Sequence, residues 1–294
     1  TGNDYRINHN GTDTTITSAT GNLIADNTSA TGKIVERLGT NTSATAYEVR
    51  SDNDTALLSV DGAGTIRAGA DMWATSPSEA SGSANAIRFF DDFIDTINPA
   101  WTITEDDAGD TQVVSDGLGG VCVLTCVAAT DNNAHQITWA TEYFKPTSGK
   151  KIWFEARIRS ASGDMTNSDW TIGLCEAEDL TGVADNMPAN GIVFHKDDGA
   201  ATFASSSSDA GVNLSGAGGT IVNNTWIRIG FLFDGGATGA ATVTPYVNGV
   251  AGSAVASVTY VTMAELAPFF MVRNGDGVTT QTLEIDYVKV VQER

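Results

Sequence analysis

The sequence predicts an all-β protein in which a thin N-terminal β-stem is followed by a two-sheet antiparallel sandwich. Three observations predict this fold. Apolar residues recur at every second position along many short segments, glycine-rich turns separate these segments, and helical periodicity is almost absent. A chain of 294 residues is long enough for one large all-β domain and a smaller one.

Residues 1–69 are rich in Thr, Asn, Ser, Ala and Gly and contain only 14 large apolar or aromatic side chains. Burial of so few side chains does not offset the entropy lost when 69 residues become ordered. Short predicted strands, such as those at 5–8 and 56–61, would also leave exposed edges. We therefore expect 1–69 to be an intertwined trimerisation and anchoring stem that shares its core with other copies. Disorder is the alternative, although the strand periodicity argues against it.

Residues 70–86 have the Ser, Ala and Gly content of a linker, and residues 87–294 are predicted to form the sandwich from thirteen strands. Strand alternation assigns one face of each strand to the core. The dipeptide Asn248-Gly249 is a strong signal for a tight hairpin turn. The expected core residues are Ile152, Phe154, Ala156, Ile158, Ile227, Ile229, Phe231, Phe233, Leu283, Ile285 and Tyr287.

Charge and hydropathy exclude two classes of partner. The formal net charge is −20, from 36 acidic and 16 basic residues, whereas binding to nucleic acid needs clustered Lys and Arg. No apolar run reaches the roughly 18 residues of a membrane span. We therefore expect neither nucleic acid nor membrane as a partner.

The three cysteines predict buried, reduced thiols. Cys122 and Cys126 lie four residues apart on one predicted strand, about 13 Å from each other, and cannot form a disulfide within it. An odd number of cysteines suits a protein made in a reducing cytosol. A disulfide between Cys122 and Cys175 across two packed sheets is left as an alternative.

The strand at 151–159 carries the predicted contact site. Its outward face presents Trp153, Glu155, Arg157 and Arg159, and an aromatic ring beside charged groups suits contact with a sugar or with another protein. Trp139 is a second candidate platform for stacking. The alternative is a strand face that is merely solvated or that packs against another subunit.

Metal and catalytic motifs are weak. No pair among His9, His135 and His195 has the spacing of zinc ligands, and we predict no metal and no cofactor. Acidic loops can bind calcium through carboxylate oxygens, which keeps two clusters open as alternatives. These clusters are Asp52, Asp54 and Asp61, and Asp106, Asp107 and Asp110.

The motif W-x-R-I-x-F-x-x-D at 226–234, followed by Y-V-N-G at 246–249, resembles the hairpin of concanavalin-like (laminin-G-like) jelly rolls. The resemblance extends from residue 89 to the C-terminal end and implies a jelly-roll fold, while saying little about activity. Glycoside hydrolases of this fold carry E-x-D-x-x-E on one strand. Glu176 with Glu178 and Glu284 with Asp286 have its first spacing, but Thr181 and Lys289 stand where the last carboxylate should be. We therefore predict that the protein is not an enzyme.

The stretches at 20–40 and 56–69 resemble the repetitive β-rich stems of phage fibre and capsid-decoration proteins. This resemblance implies a non-enzymatic virion structural protein, a homotrimeric capsid decoration (cement) or head-fibre protein. Its expected partners are its own copies and the major capsid protein or another virion protein. Synthesis in the host cytoplasm and a final location on the virion surface are implied with it. The alternative is a receptor-recognition head of a tail fibre or adhesin, which would bind a host-surface glycan through the Trp153 row or Trp139.

Overall fold

The computed structural model describes residues 5–9, 14–18, 46–50, 56–61, 66–68 and 86–294, apart from 95–96, 116–118, 128–130, 161–164, 182–186, 211 and 237–240. The chain divides into two compact units, Thr1–Gly69 and Ala70–Arg294. The predicted linker lies, except for its last residue, outside the described residues.

The first unit contains five described strands in two separate antiparallel sheets. β1 (Tyr5–His9) pairs with β2 (Thr14–Ser18), and β3 (Ala46–Arg50), β4 (Ala56–Asp61) and β5 (Ile66–Ala68) form the other sheet. Each sheet is very small, with two and three strands. An intertwined, trimeric stem involves other copies of the chain and stays a prediction.

The second unit contains sixteen strands and one short 3-10 helix, Met165–Asn167, among its described residues. The strands are β6 (Ala86–Asp91), β7 (Trp101–Glu105), β8 (Thr111–Ser115), β9 (Val121–Cys126), β10 (Ala134–Trp139), β11 (Lys151–Arg159), β12 (Ser168–Cys175), β13 (Gly191–Lys196), β14 (Thr202–Asp209), β15 (Val212–Thr220), β16 (Ile227–Asp234), β17 (Ala241–Val247), β18 (Val250–Ala251), β19 (Val255–Val258), β20 (Ala267–Asn274) and β21 (Gln281–Glu293).

These strands form two antiparallel sheets. Sheet 1 has seven strands in the order β15-β14-β13-β12-β20-β10-β7. Sheet 2 has nine, in the order β18-β17-β16-β11-β21-β9-β8, with β19 on β17 and β6 on β21. The prediction of an all-β, two-sheet antiparallel sandwich is confirmed.

The inner faces of the two sheets enclose one continuous hydrophobic core. Phe154 of β11 stacks on Phe231 of β16 in sheet 2, with ring centroids 5.2 Å apart. Phe194 of sheet 1 packs on Phe231 from the opposite side of the core. The predicted alternation in β11 and β16 is thus confirmed, and Asn248 and Gly249 form the turn between β17 and β18 with positive φ angles.

Tyr287 departs from the predicted core. The pairing of β11 with β21 shifts register between Arg157 and Ile158, which leaves one extra residue in β21 at Asp286–Tyr287. A bulge of this kind moves the following side chain to the other face. Leu283 and Ile285 are buried in the core as predicted, but Tyr287 joins the outer face of sheet 2.

Three strands, β7, β15 and β18, were not among the thirteen predicted from the sequence. The segment of β15, VNLSGAGGT, has the composition of a glycine-rich turn. Its glycines are required instead by close packing. A Cβ atom at Gly216 would lie 2.6 Å from Val255, and one at Gly218 would lie 2.5 Å from the Phe203 ring. Glycine therefore allows β15 to lie directly against its neighbours.

The three cysteines are buried and free, as predicted. Cys122 points into the core between the sheets, whereas Cys175 packs on the outer side of sheet 1 with Leu180 and Met271. A disulfide between them would have to pass through the sheet, which excludes that alternative. Burial raises the pKa of the Cys122 thiol to about 12.

Candidate functional site

Two surfaces of the sandwich are candidates for binding, namely the outer face of sheet 2 and a groove on the outer face of sheet 1. The first contains the predicted contact residues of β11. Arg157 Nη1 donates to Asp286 Oδ2 at 2.7 Å, and Arg159 Nε donates to Glu284 Oε2 at 2.6 Å. The predicted contact row on β11 and the carboxylate pair on β21 therefore neutralise each other.

Trp226 completes this face. Its ring lies 4.7 Å from the guanidinium carbon of Arg157 and 4.7 Å from that of Arg159, a distance at which cations are attracted to indole rings. Sequence reasoning missed Trp226. Trp226 directly precedes β16 and lies two residues before Arg228, so the alternation that continues into β16 contained the signal.

Trp153 is not available as a platform for stacking. Its side chain is only 3% exposed, because it packs with Leu232 and Val291 and meets the Tyr246 ring edge-on with centroids 4.9 Å apart. The prediction that it offers an open ring to a sugar is therefore wrong for this chain. Gly230, opposite the neighbouring Glu155, gives the indole room, since a Cβ there would lie 3.2 Å from the ring.

Glu155 is also more enclosed than predicted. It is 8% exposed and accepts a hydrogen bond from Tyr287 Oη at 2.7 Å, while Arg228 Nε lies 4.0 Å from its other oxygen. Burial, followed by the hydrogen bond to Glu155, raises the pKa of Tyr287 above its usual range. A contact role for Glu155 and Arg157 stays a prediction, and Arg157 is the more accessible of the two.

Trp139 is half-buried at the margin of the main core. Its ring packs edge-on against Phe89 at 4.8 Å and Trp101 at 5.4 Å between centroids, and it contacts the main core. Alternation along β10 explains this position, because Trp139 shares the inward face with Ile137. Part of the Trp139 ring is therefore occupied by aromatic neighbours, and a glycan contact through Trp139 stays a prediction.

The second candidate surface is a groove of about 600 Å³ on the outer face of sheet 1, where β13, β14 and β15 run side by side. Its floor is made of small residues, among them Ala204, Ala217 and Gly219. His195 and Asp197 stand at one wall, with His195 Nε2 3.0 Å from Asp197 Oδ1. The Asp197 side chain is largely exposed, so its carboxylate can meet a ligand.

Two threonines add hydroxyl groups to the groove. Thr202 and Thr220 are directly paired across β14 and β15 and both line it. The groove thus combines a flat floor of small side chains with a carboxylate, an imidazole and two hydroxyls. Its volume falls within the range of about 300–1,000 Å³ that is typical of small-molecule sites.

The other predicted carboxylate pair is held in a loop after β12. Glu176 Oε2 accepts from Asn190 Nδ2 at 2.9 Å, and Glu178 Oε1 accepts from the Ala189 backbone N–H at 2.8 Å. Partial burial raises the pKa of Glu178. Both carboxylates therefore brace the loop against the segment before β13.

No group of three or more His, Cys, Asp or Glu side chains within the described part of the chain is arranged to hold a metal ion. In the head, Asp107 Oδ1 accepts from the Gly109 backbone, and Asp110 Oδ1 accepts from Val127 N–H and Asn133 Nδ2. The Asp52 and Asp54 alternative lies outside the described residues. Among the described residues, no helix is long and apolar enough to cross a membrane.

No protein-family model and no curated protein matches this sequence. Solved structures do resemble the second unit. An endo-1,3-β-glucanase from Streptomyces sioyaensis aligns with a TM-score of 0.52 at 16% identity, over 72% of this chain and 98% of that one. The Emp47p carbohydrate recognition domain aligns with a TM-score of 0.50 at 13% identity, over 71% and 95%. Lectin II from Ulex europaeus aligns with a TM-score of 0.50 at 9% identity, over 71% and 99%.

At such identities these likenesses show the fold alone. The second unit has a lectin- and glucanase-like jelly-roll sandwich, which confirms that part of the predicted resemblance. The matched proteins include both an enzyme and lectins, so the fold does not decide between catalysis and binding.

Proposed function

We propose that the second unit is a non-catalytic carbohydrate-binding module and that the groove on sheet 1 is its binding site. The observation that carries the proposal is the combination of a flat floor of small residues with the exposed Asp197 carboxylate beside His195. A saccharide presents many hydroxyl groups at its edge and needs planar acceptors and donors to meet them. The lectin-like fold supports this proposal.

The groove holds its polar groups in place before a ligand arrives. Strand β14 of the floor is hydrogen-bonded between β13 and β15, which restrains its backbone. A hydroxyl that donates to Asp197 forms a charge-assisted hydrogen bond, which is the stronger kind. Thr202 and Thr220 add hydroxyls along the floor.

The proposal of a non-catalytic module is supported by the state of the carboxylates. Hydrolysis of a glycosidic bond requires two carboxyl groups that act on the bond as acid and as base or nucleophile. Glu284 and Asp286 are each engaged by an arginine, and Glu176 and Glu178 hold a loop. None of these four lines the groove.

Binding of the full chain to a printed glycan array tests the site. We expect a saccharide that binds the wild type to lose at least about ten-fold in affinity to Asp197→Asn, because a hydrogen bond to a charged group contributes about 1.5–3 kcal/mol. Asp198→Asn is the matched control, since Asp198 is also exposed but lies outside the groove. Equal affinity of both variants for the same glycan would place the site elsewhere.

Release of reducing sugar from polysaccharides tests the non-catalytic part separately. We expect none from the wild type. Turnover that disappears in Glu176→Gln would show a hydrolase and overturn this part of the proposal.

A second candidate function is a structural role in a virus particle, as a homotrimeric decoration or fibre protein. The observation that favours it is the small size of the two described N-terminal sheets, because sheets of two or three short strands are marginal on their own. Three copies that share a core would stabilise them. The molar mass of the full chain in solution tests this, and a protease-resistant single chain that includes 1–69 would contradict it.

A further inference from the structure

Charge is distributed very unevenly over the second unit. Residues 210–227 and 235–264, stretches of 18 and 30 residues, contain no Asp, Glu, Lys or Arg. All 37 charged residues of 86–294 lie outside these two stretches. In a chain with a net charge of −20, two stretches of this length without a charge need an explanation; the charged residues Asp209 and Arg228 border them, at Thr262 and at Gly249.

The two uncharged stretches lie together at one edge of the sandwich. The first contains β15, the edge strand of sheet 1, and the second contains β17, β18 and β19 at the edge of sheet 2. They are in contact at two places, where Gly216 lies against Val255 and Gly219 lies against Val247. We call the described residues of these two stretches the uncharged edge.

The uncharged edge exposes apolar side chains and an open strand. Val222, Val250 and Val261 are 61%, 72% and 78% exposed. β15 is nine residues long and, among the described strands, pairs only with β14. Its outer row of backbone N–H and C=O groups is therefore open to another strand.

The opposite edge of sheet 1, strand β7, carries the usual protection against strand pairing. Proteins block such edges with charges, prolines or very short strands. At the opposite edge of sheet 1, β7 ends at the exposed Glu105 and is followed by the exposed Asp106. β15 has neither a charge nor a proline.

We propose that the uncharged edge docks a second copy of this chain, with the two β15 strands paired antiparallel. Two copies that each carry −20 repel when they approach through their acidic surfaces, and only an uncharged surface avoids that cost. An antiparallel strand pair is self-complementary about a two-fold axis, as a symmetric dimer requires. Seven strands from each copy would then form one continuous sheet.

The geometry of this dimer has a consequence for binding, which rests on the proposed function. The two-fold axis of an antiparallel pair stands perpendicular to the sheet, so both copies turn the same face of sheet 1 to the same side. The two grooves would lie side by side across the new pair. A repeating polysaccharide would then bind with avidity.

The molar mass of the full chain, measured by light scattering without any sugar, tests the dimer. We expect Val222→Lys and Val250→Lys to halve the mass of the wild type, whether or not the stem assembles further, because each buries a charge at the contact. Val278→Lys is the matched control, since Val278 is 78% exposed and lies outside the uncharged edge. A wild-type mass that is unchanged in both edge variants would overturn the proposal.

Cross-linking tests the strand pairing itself. The native cysteines are buried, so a cysteine introduced at the exposed Ser215 of β15 is the reactive one. A short bismaleimide should join two copies of Ser215→Cys and not two copies of Val278→Cys. Cross-linking of neither variant, or of both equally, would contradict an antiparallel β15 contact. Loss of glycan binding would leave these results unaffected, so the two proposals fail separately.

Discussion

His135 shows how a single buried side chain makes stability depend on pH. It is fully buried on the inward face of β10, and burial lowers the pKa of its imidazole, while the nearby Asp110 and Glu105 oppose this shift. The unfolded chain takes up a proton near pH 6.5, but the folded chain resists it. Acidification therefore favours the unfolded state.

We expect the free energy of unfolding to fall as the pH drops below about 6.5, by up to roughly 1.4 kcal/mol per pH unit for this one group. Urea unfolding at several pH values between 7 and 5 measures it. His135→Gln keeps a polar side chain but removes the titration, so its slope in this range should be smaller. Identical slopes for wild type and variant would contradict the assignment to His135.

The contribution of an ion pair to stability depends on how far the pair is buried. Glu284→Gln leaves Arg159 without its carboxylate in a largely enclosed setting, and we expect a loss of about 1–2 kcal/mol in urea unfolding. Glu265→Gln breaks the exposed pair with Lys145 and should change stability very little. Equal effects of both substitutions would mean that the enclosure of the Arg159 pair adds nothing.

At the scale of elements, the turn between β8 and β9 depends on glycine. Gly119 and Gly120 both have positive φ angles, of 95° and 84°. A Cβ at Gly120 would lie 2.1 Å from the carbonyl oxygen of Phe93, whereas one at Gly119 meets nothing within 4 Å.

Gly119→Ala should therefore show the backbone strain alone, about 1–2 kcal/mol. Gly120→Ala should cost clearly more in urea unfolding, because it adds a clash with a buried backbone segment. If the two substitutions cost the same, the close approach of Phe93 would not matter to stability.

Alternation in the sequence was sufficient to predict the sandwich and most of its core, since it depends only on local periodicity. The prediction from alternation failed where contacts between distant parts of the chain determine the position of a side chain or strand. The sequence of β15 has the composition of a turn, but its glycines are needed for close packing against Phe203 and Val255, which are distant in sequence. Trp153 has the spacing of an outward residue but is covered by Tyr246 of another strand. The bulge that moves Tyr287 exists only relative to β11.

The candidate groove could not be predicted from the sequence for a related reason. It is formed by small residues such as Ala204 and Ala217, which become a floor only through the register of β14 with β15. His195 lies on β13 and Asp197 directly follows that strand, so their proximity could be predicted from their spacing. The sequence did not indicate that β14 and β15 lie side by side.

At the scale of the whole molecule, net charge opposes compactness. The second unit carries 28 acidic residues against 11 basic ones, so the repulsion between its carboxylates exceeds the attraction within its ion pairs. Salt screens exposed charges over about 10 Å at 0.1 M, and the buried or half-buried pairs respond less. Added salt should therefore weaken the repulsion between carboxylates more than it weakens the attraction within ion pairs.

We expect the Tm of the dilute protein to rise between about 20 mM and about 300 mM NaCl, a range over which the Debye length falls severalfold. KCl at the same ionic strength should give the same rise, because screening does not depend on the identity of the ions. Differential scanning calorimetry measures both series. A Tm that falls with added salt would show that ion pairs such as Arg157 with Asp286 outweigh the repulsion, and that the acidic surface is not what limits stability.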